Sequence, residues 1–118
     1  MKKVFIADDD PSIVEVIKIV LKEGGYSVVS TTNGRGVESG IKKHKPDLIL
    51  LDIWMSGFDG REITKKLKAS KQTNTIPIIV ISALNNTKQI AKEIKADGFL
   101  EKPFDIHTLL KKVKEYVK

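Results

Sequence analysis

The order of apolar and polar segments predicts an α/β protein: a parallel five-stranded sheet wound on both faces by helices, a three-layer (βα)5 arrangement. Strand-like runs alternate with amphipathic, helix-like runs along the whole chain. Two of the strand-like runs, "DLILLD" at 47–52 and "IPIIVIS" at 76–82, are almost wholly apolar, the composition of a strand covered on both faces. A length of 118 residues suffices for one core and no more, so a single domain over 1–118 is expected.

The first strand is "KVFIAD", 3–8, ending in the acidic run Asp8-Asp9-Asp10. Asp10 precedes Pro11 and an apolar-periodic stretch, which makes it a helix N-cap with proline at the first helical position. The helix itself is expected over 13–22, with Ile13, Ile17, Val20 and Leu21 on one face and Gly24-Gly25 as the stop. "YSVVST" is the second strand, followed over 34–43 by a helix that its own Gly40 weakens. After the third strand, "DLILLD", a helix over 59–69 carries Ile63 and Leu67. The fourth strand, "IPIIVIS", leads to a short helix over 87–95 with Ile90, Ala91 and Ile94. "GFLEK", 98–102, is the last strand. The final helix, 105–117, places Ile106, Leu109, Leu110, Val113, Tyr116 and Val117 at the spacing of a face packed on a sheet.

Composition narrows the function. Hydrophobic residues make up 41% and charged residues 31%, an ordinary globular balance, and the runs "LILL" and "IIVI" are far too short to span a bilayer. No basic, apolar leader opens the sequence, and the absence of cysteine removes disulfides, thiolate chemistry and Cys-based metal sites. A cytoplasmic protein without membrane association is expected. The formal charge of +6 raises nucleic acid as a partner, but the lysines are spread over several helices with no aromatics between them to stack bases. Direct nucleic-acid binding is therefore not expected.

The chemistry lies at the strand ends. Asp8, Asp9 and Asp10 follow the first strand and Asp52 ends the third, the two strands expected to flank the point where the winding reverses and where ligands bind in such sheets. With Asp10 assigned to the cap, Asp8, Asp9 and Asp52 converge, and three hard oxygen donors favour Mg2+. The plainer alternative is that each acid caps a helix or solvates a loop. Ser82 closes the fourth strand and Lys102 the fifth. A hydroxyl, an ammonium, a divalent cation and a carboxylate nucleophile, Asp52, together form a site for a transferred phosphoryl group.

Through "ADDDP", "LILLDIWMSGFDG", "VISA" and "FLEKPF" the chain resembles the receiver domains of two-component response regulators, in particular the stand-alone, chemotaxis-regulator-like receivers, over essentially its whole length. The resemblance implies the flavodoxin-like strand order 2-1-3-4-5. It implies that Asp52 accepts phosphate from a sensor histidine kinase or a histidine phosphotransfer protein. Asp8, Asp9, Asp52 and the backbone carbonyl of Trp54 would hold Mg2+, and Ser82 and Lys102 would bind the phosphoryl oxygens. Ser82 and Phe99 would form the switch, and Lys102-Pro103 would be a cis peptide bond. Trp54 and Leu84, two residues after Asp52 and Ser82, would tune hydrolysis; neither offers a carboxylate or amide to orient water, so a long-lived phosphorylated state is expected. Output would pass to a protein target through the fourth helix, fifth strand and fifth helix, from a monomer or a phosphorylation-dependent dimer. The resemblance implies a signalling module and no enzyme, although one that catalyses its own phosphorylation and dephosphorylation.

The chain departs from the family pattern at Met55-Ser56, commonly Met-Pro, at Lys95-Ala96, often Gly-Ala, and in its short fourth helix. Two other functions start from the same residues. Asp8-Asp9-Asp10 contains the Asp-x-Asp of haloacid-dehalogenase-like phosphatases, which also need a later acidic pair and usually a cap insertion. A pseudo-receiver, an interaction module independent of phosphate, would lack Asp52 or Lys102. A flavin carrier of the same fold needs a glycine- and hydroxyl-rich loop after the first strand, where three aspartates would repel its phosphate.

Overall fold

Successive side chains of a strand point to opposite faces, and in the central strands of this chain both sets are apolar, so each strand demands cover above and below. The computed structural model describes residues 1–55, 58–83 and 85–117. Its main strands are β1 (Lys3–Ala7), β2 (Ser27–Thr31), β3 (Leu48–Asp52), β4 (Ile78–Ser82) and β5 (Gly98–Glu101), all parallel in the order β2-β1-β3-β4-β5. The helices are α1 (Pro11–Glu23), α2 (Val37–His44), α3 (Gly60–Ala69), α4 (Thr87–Glu93) and α5 (Ile106–Tyr116). This is the doubly wound, flavodoxin-like architecture that the sequence predicts.

The alternation sorts residues into two cores. Val4 and Ile6 of β1, Leu48 and Leu50 of β3, and Ile79 and Ile81 of β4 pack with α1 and α5 through Ile17, Leu21, Leu109 and Val113. Their neighbours Phe5, Ile49, Leu51, Ile78 and Val80 pack on the other face against Val37 and Ile41 of α2, Ile63 and Leu67 of α3, and Ile90 of α4. Every residue of β3 and β4 is buried, whereas every residue of the edge strand β2 is half-buried, which accounts for its more polar sequence. Among the described residues no helix is long and apolar enough to cross a membrane.

Element ends follow their caps. Asp10 accepts the Ser12 N–H at 2.9 Å and starts α1 at Pro11, two residues before its apolar face begins. Gly40 does not prevent α2: a Cβ there would lie 2.9 Å from the Phe5 ring, so the glycine is what lets the helix settle on β1. The helix expected over 87–95 ends at Glu93, because Lys95 adopts a left-handed backbone with φ 61°. That conformation suits glycine, so Lys95→Gly is expected to stabilise the chain by about 1 kcal/mol, read as a higher denaturant midpoint; an unchanged or lower midpoint would show that the lysine bears no strain. The helix expected over 34–43 opens as a short 3-10 turn at Gly34–Gly36, and one local feature has no counterpart in the sequence reading: an antiparallel pairing of Trp54–Met55 with Phe58–Asp59 directly after β3.

Candidate functional site

The parallel sheet brings all its carboxyl ends to one edge. Asp8 follows β1 and Asp52 ends β3, on adjacent strands paired Ala7 to Leu51, while Ser82 ends the next strand, β4. Lys102 follows β5 and its N–H donates to the Ser82 carbonyl at 2.8 Å, which ties the fifth strand end to the fourth. The Lys102-Pro103 peptide bond is cis. Asp8, Asp9 and Asp52 offer carboxylate oxygens within 4.8 Å of one another, with Asp8 and Asp52 buried and Asp9 exposed.

Lys102 approaches both buried acids. Lys102 Nζ lies 2.8 Å from Asp8 Oδ2 and 3.5 Å from Asp52 Oδ2. The remaining carboxylate oxygens turn to backbone: Asp8 Oδ1 accepts the Asp10 N–H at 3.0 Å, and Asp52 Oδ1 accepts the Trp54 N–H at 3.4 Å. Burial, and then the charge of Asp8, raise Asp52 from 3.8 to about 6, against the opposing pull of Lys102 and the Trp54 N–H. Burial pushes the Lys102 ammonium down, but its pairing with Asp8 and Asp52 outweighs this and holds it above the ordinary lysine range.

Asp8, Asp9 and Asp52 bring three carboxylates together, and among the described residues the fully buried Asp8 Oδ2 has no hydrogen bond of good geometry, although Lys102 Nζ lies 2.8 Å away. At an effective dielectric of about 20, each like-charged pair near 4 Å costs roughly 4 kcal/mol, a repulsion that a hard divalent cation would turn into attraction. The donor set fits such an ion.

The other residues singled out in the sequence lie around this centre. Ser82 is buried. Phe99 is paired with Val80 in the β4–β5 ladder and half-buried on the α4 side, with Lys112 Nζ 5.7 Å from its ring centroid. Trp54 is 48% exposed beside Asp52, and Arg61 lies over its indole. Leu84 and Ser56 fall outside the described residues. What sequence reasoning missed is the Asp59–Arg61 pair: Asp59 starts the α3 helix as expected, but nothing local signals that its carboxylate also holds Arg61 against Trp54. Gly60 closes the loop between them, its N–H donating to the Ile53 carbonyl at 2.7 Å, and a Cβ there would lie 2.6 Å from the Asp52 carbonyl oxygen.

Known proteins resemble this chain in sequence and in fold. Residues 4–114 match the family model of the response regulator receiver domain. The chain is 35% identical over 115 residues to the phosphate regulon transcriptional regulatory protein PhoB of Pseudomonas aeruginosa, covering 96% of this chain and 50% of that protein. It is 33% identical over 119 residues to the DNA-binding dual master transcriptional regulator RpaA of Synechocystis, covering 97% and 48%. The chain thus spans about half the length of the curated relatives it matches. Among solved structures it is similar to the Vibrio cholerae chemotaxis response regulator CheY4, with 31% identity, a TM-score of 0.91 and coverage of 99% of both chains. It is also similar to the Thermotoga maritima response regulator TrrA in complex with Mg(2+)-BeF, with 30% identity, a TM-score of 0.88 and coverage of 99% and 100%.

Proposed function

Because the chain belongs to the response regulator receiver domain family, we propose that it is a Mg2+-dependent phosphoacceptor in a two-component system, phosphorylated on Asp52 by a sensor histidine kinase or a histidine phosphotransfer protein. The observation that carries this reading is the cluster itself: Asp8, Asp9 and Asp52 within 4.8 Å, with Lys102 between the two buried acids. Asp8, Asp9, Asp52 and the Trp54 backbone carbonyl would hold Mg2+. When bound, that ion supplies the charge to orient and neutralise an incoming phosphoryl group.

The chain's own groups divide the rest of the work. The Asp52 carboxylate, ionised in the main at pH 7, attacks phosphorus; the new O–P bond forms as the P–N bond to the donor's imidazole breaks, its electron pair stays on that nitrogen, and the ring leaves as neutral imidazole with the proton its other nitrogen already carries. Lys102 and the Ser82 hydroxyl take the transferred oxygens, which draws Ser82 toward the phosphate and leaves room for the Phe99 ring to turn inward. The surface of α4, β5 and α5 then carries the change to a protein target, from a monomer or a dimer formed on phosphorylation. Trp54 and Leu84 bring no group that orients water, so loss of the phosphate is slow. The receiver catalyses both steps on itself and acts in the cytoplasm.

The test is intact mass after incubation with a small acyl phosphate and Mg2+. One phosphoryl adduct is expected on the wild type, and none on Asp52→Ala or in the presence of a chelator. An adduct that survives in Asp52→Ala would overturn the assignment of the acceptor.

A further inference from the structure

Arg61 stands where a cation is least favoured, in the first turn of α3 at the positive end of the helix. Asp59 offsets this. Its Oδ1 accepts the Arg61 backbone N–H at 2.9 Å and Nε–H at 3.2 Å, and its Oδ2 accepts from Nη2 at 3.1 Å. Held so, the guanidinium lies over the Trp54 ring, 4.5 Å from the centroid. Trp54 and Asp59 are themselves cross-strand partners, so the indole is gripped by the ion pair of the residue that faces it. The backbone of Trp54 looks the other way, toward the acceptor, with its N–H on Asp52 Oδ1 at 3.4 Å.

We propose that Arg61, fixed by Asp59, is a positioning residue for the cation site: by clamping the Trp54 side chain it holds the Trp54 peptide against Asp52. This rests on reading the carboxylate cluster as a Mg2+ centre to which Trp54 lends its carbonyl. An isolated exposed ion pair contributes little to stability. Here the pair has a third member, and that member belongs to the site.

Charge and positioning predict different outcomes, which makes the idea testable. Deleting the guanidinium removes positive charge, which by Coulomb's law alone leaves cation binding unchanged or tightens it. Loosening the Trp54 peptide weakens it. The experiment is a Mg2+ titration of the wild type, Arg61→Ala and Arg61→Lys at a salt concentration where the Debye length is about 8 Å. Binding is read from the fluorescence of Trp54, the chain's one tryptophan, and checked by calorimetry. Arg61→Ala is expected to weaken Mg2+ binding roughly two- to fivefold, the scale of an exposed cation–π contact. Arg61→Lys keeps the charge but has no planar fork, so it should recover only part of the affinity. Unchanged or tighter binding in Arg61→Ala, or full recovery with lysine, would overturn the proposal. A wild type that does not bind Mg2+ would overturn the receiver reading and this inference with it, and the first titration reveals that before any variant is compared.

Discussion

Lys102→Met is expected to cost the metal-free chain about 3–5 kcal/mol, the usual penalty for stranding buried charge by removing its partner. Among the described residues Lys102 Nζ is the cation paired with both Asp8 and Asp52, at 2.8 and 3.5 Å, and both acids are buried. The contribution has a clear pH window. The Lys102 pKa is raised in the folded chain, so its stabilisation is present in full at neutral pH and is lost only as the pH climbs through the lysine range. Against a total stability of about 5–15 kcal/mol for a domain, such a loss is readily seen in a denaturant melt. Two companion results locate its cause. Saturating Mg2+ should restore more stability to Lys102→Met than it adds to the wild type, because the ion replaces the missing charge. Asp52→Asn combined with Lys102→Met should be less damaging than the two effects added, because the pair interacts directly. A loss below about 1 kcal/mol for Lys102→Met would mean that the site is better hydrated than its burial implies.

The opposite substitution should have the opposite sign. Asp52 is raised to about 6 from 3.8, chiefly by burial and then by Asp8, so between these values the folded chain keeps a proton that the unfolded chain releases. Stability therefore falls as the pH rises through that window, by about 3 kcal/mol for a shift of this size. Asp52→Asn keeps the shape of the side chain and removes the titration. Its advantage over the metal-free wild type should grow from near zero at pH 4 to about 3 kcal/mol at pH 7. Mg2+ should shrink that advantage by stabilising the wild type at the higher pH. An advantage that does not change with pH would place the strain somewhere other than the Asp52 charge.

These two residues mark the boundary of what can be read from the chain alone. That Asp8, Asp9, Asp52 and Lys102 share a site was legible, because each sits at the end of an apolar run and parallel strands deliver their ends to one edge. How the burden divides among the acids was not. A sequence in which Asp8 and Asp9 are adjacent and alike does not say that one is wholly buried and the other exposed. The same holds for glycine: Gly40 lowers helix propensity when only its neighbours are considered, but the Phe5 ring, from another strand, is what requires it. Lys95 lies within a helical pattern, and only its left-handed backbone shows that the helix has already ended. The paired residues Trp54–Met55 and Phe58–Asp59 are too few to produce a periodic signal, so the clamp of Asp59 and Arg61 on Trp54 was invisible.

By itself the sequence determined the layers, the strand order through its family resemblance, and the four strand ends that carry Asp8, Asp52, Ser82 and Lys102. All of these depend on short-range periodicity and on motifs read along the chain. Tertiary structure decided which carboxylates are desolvated, which oxygens Lys102 approaches, and which side chain is fastened beside Asp52. Those outcomes are set by distances between groups far apart in sequence, such as Asp8, Asp52 and Lys102, and by the water that folding removes from around them; neither quantity has any local signature.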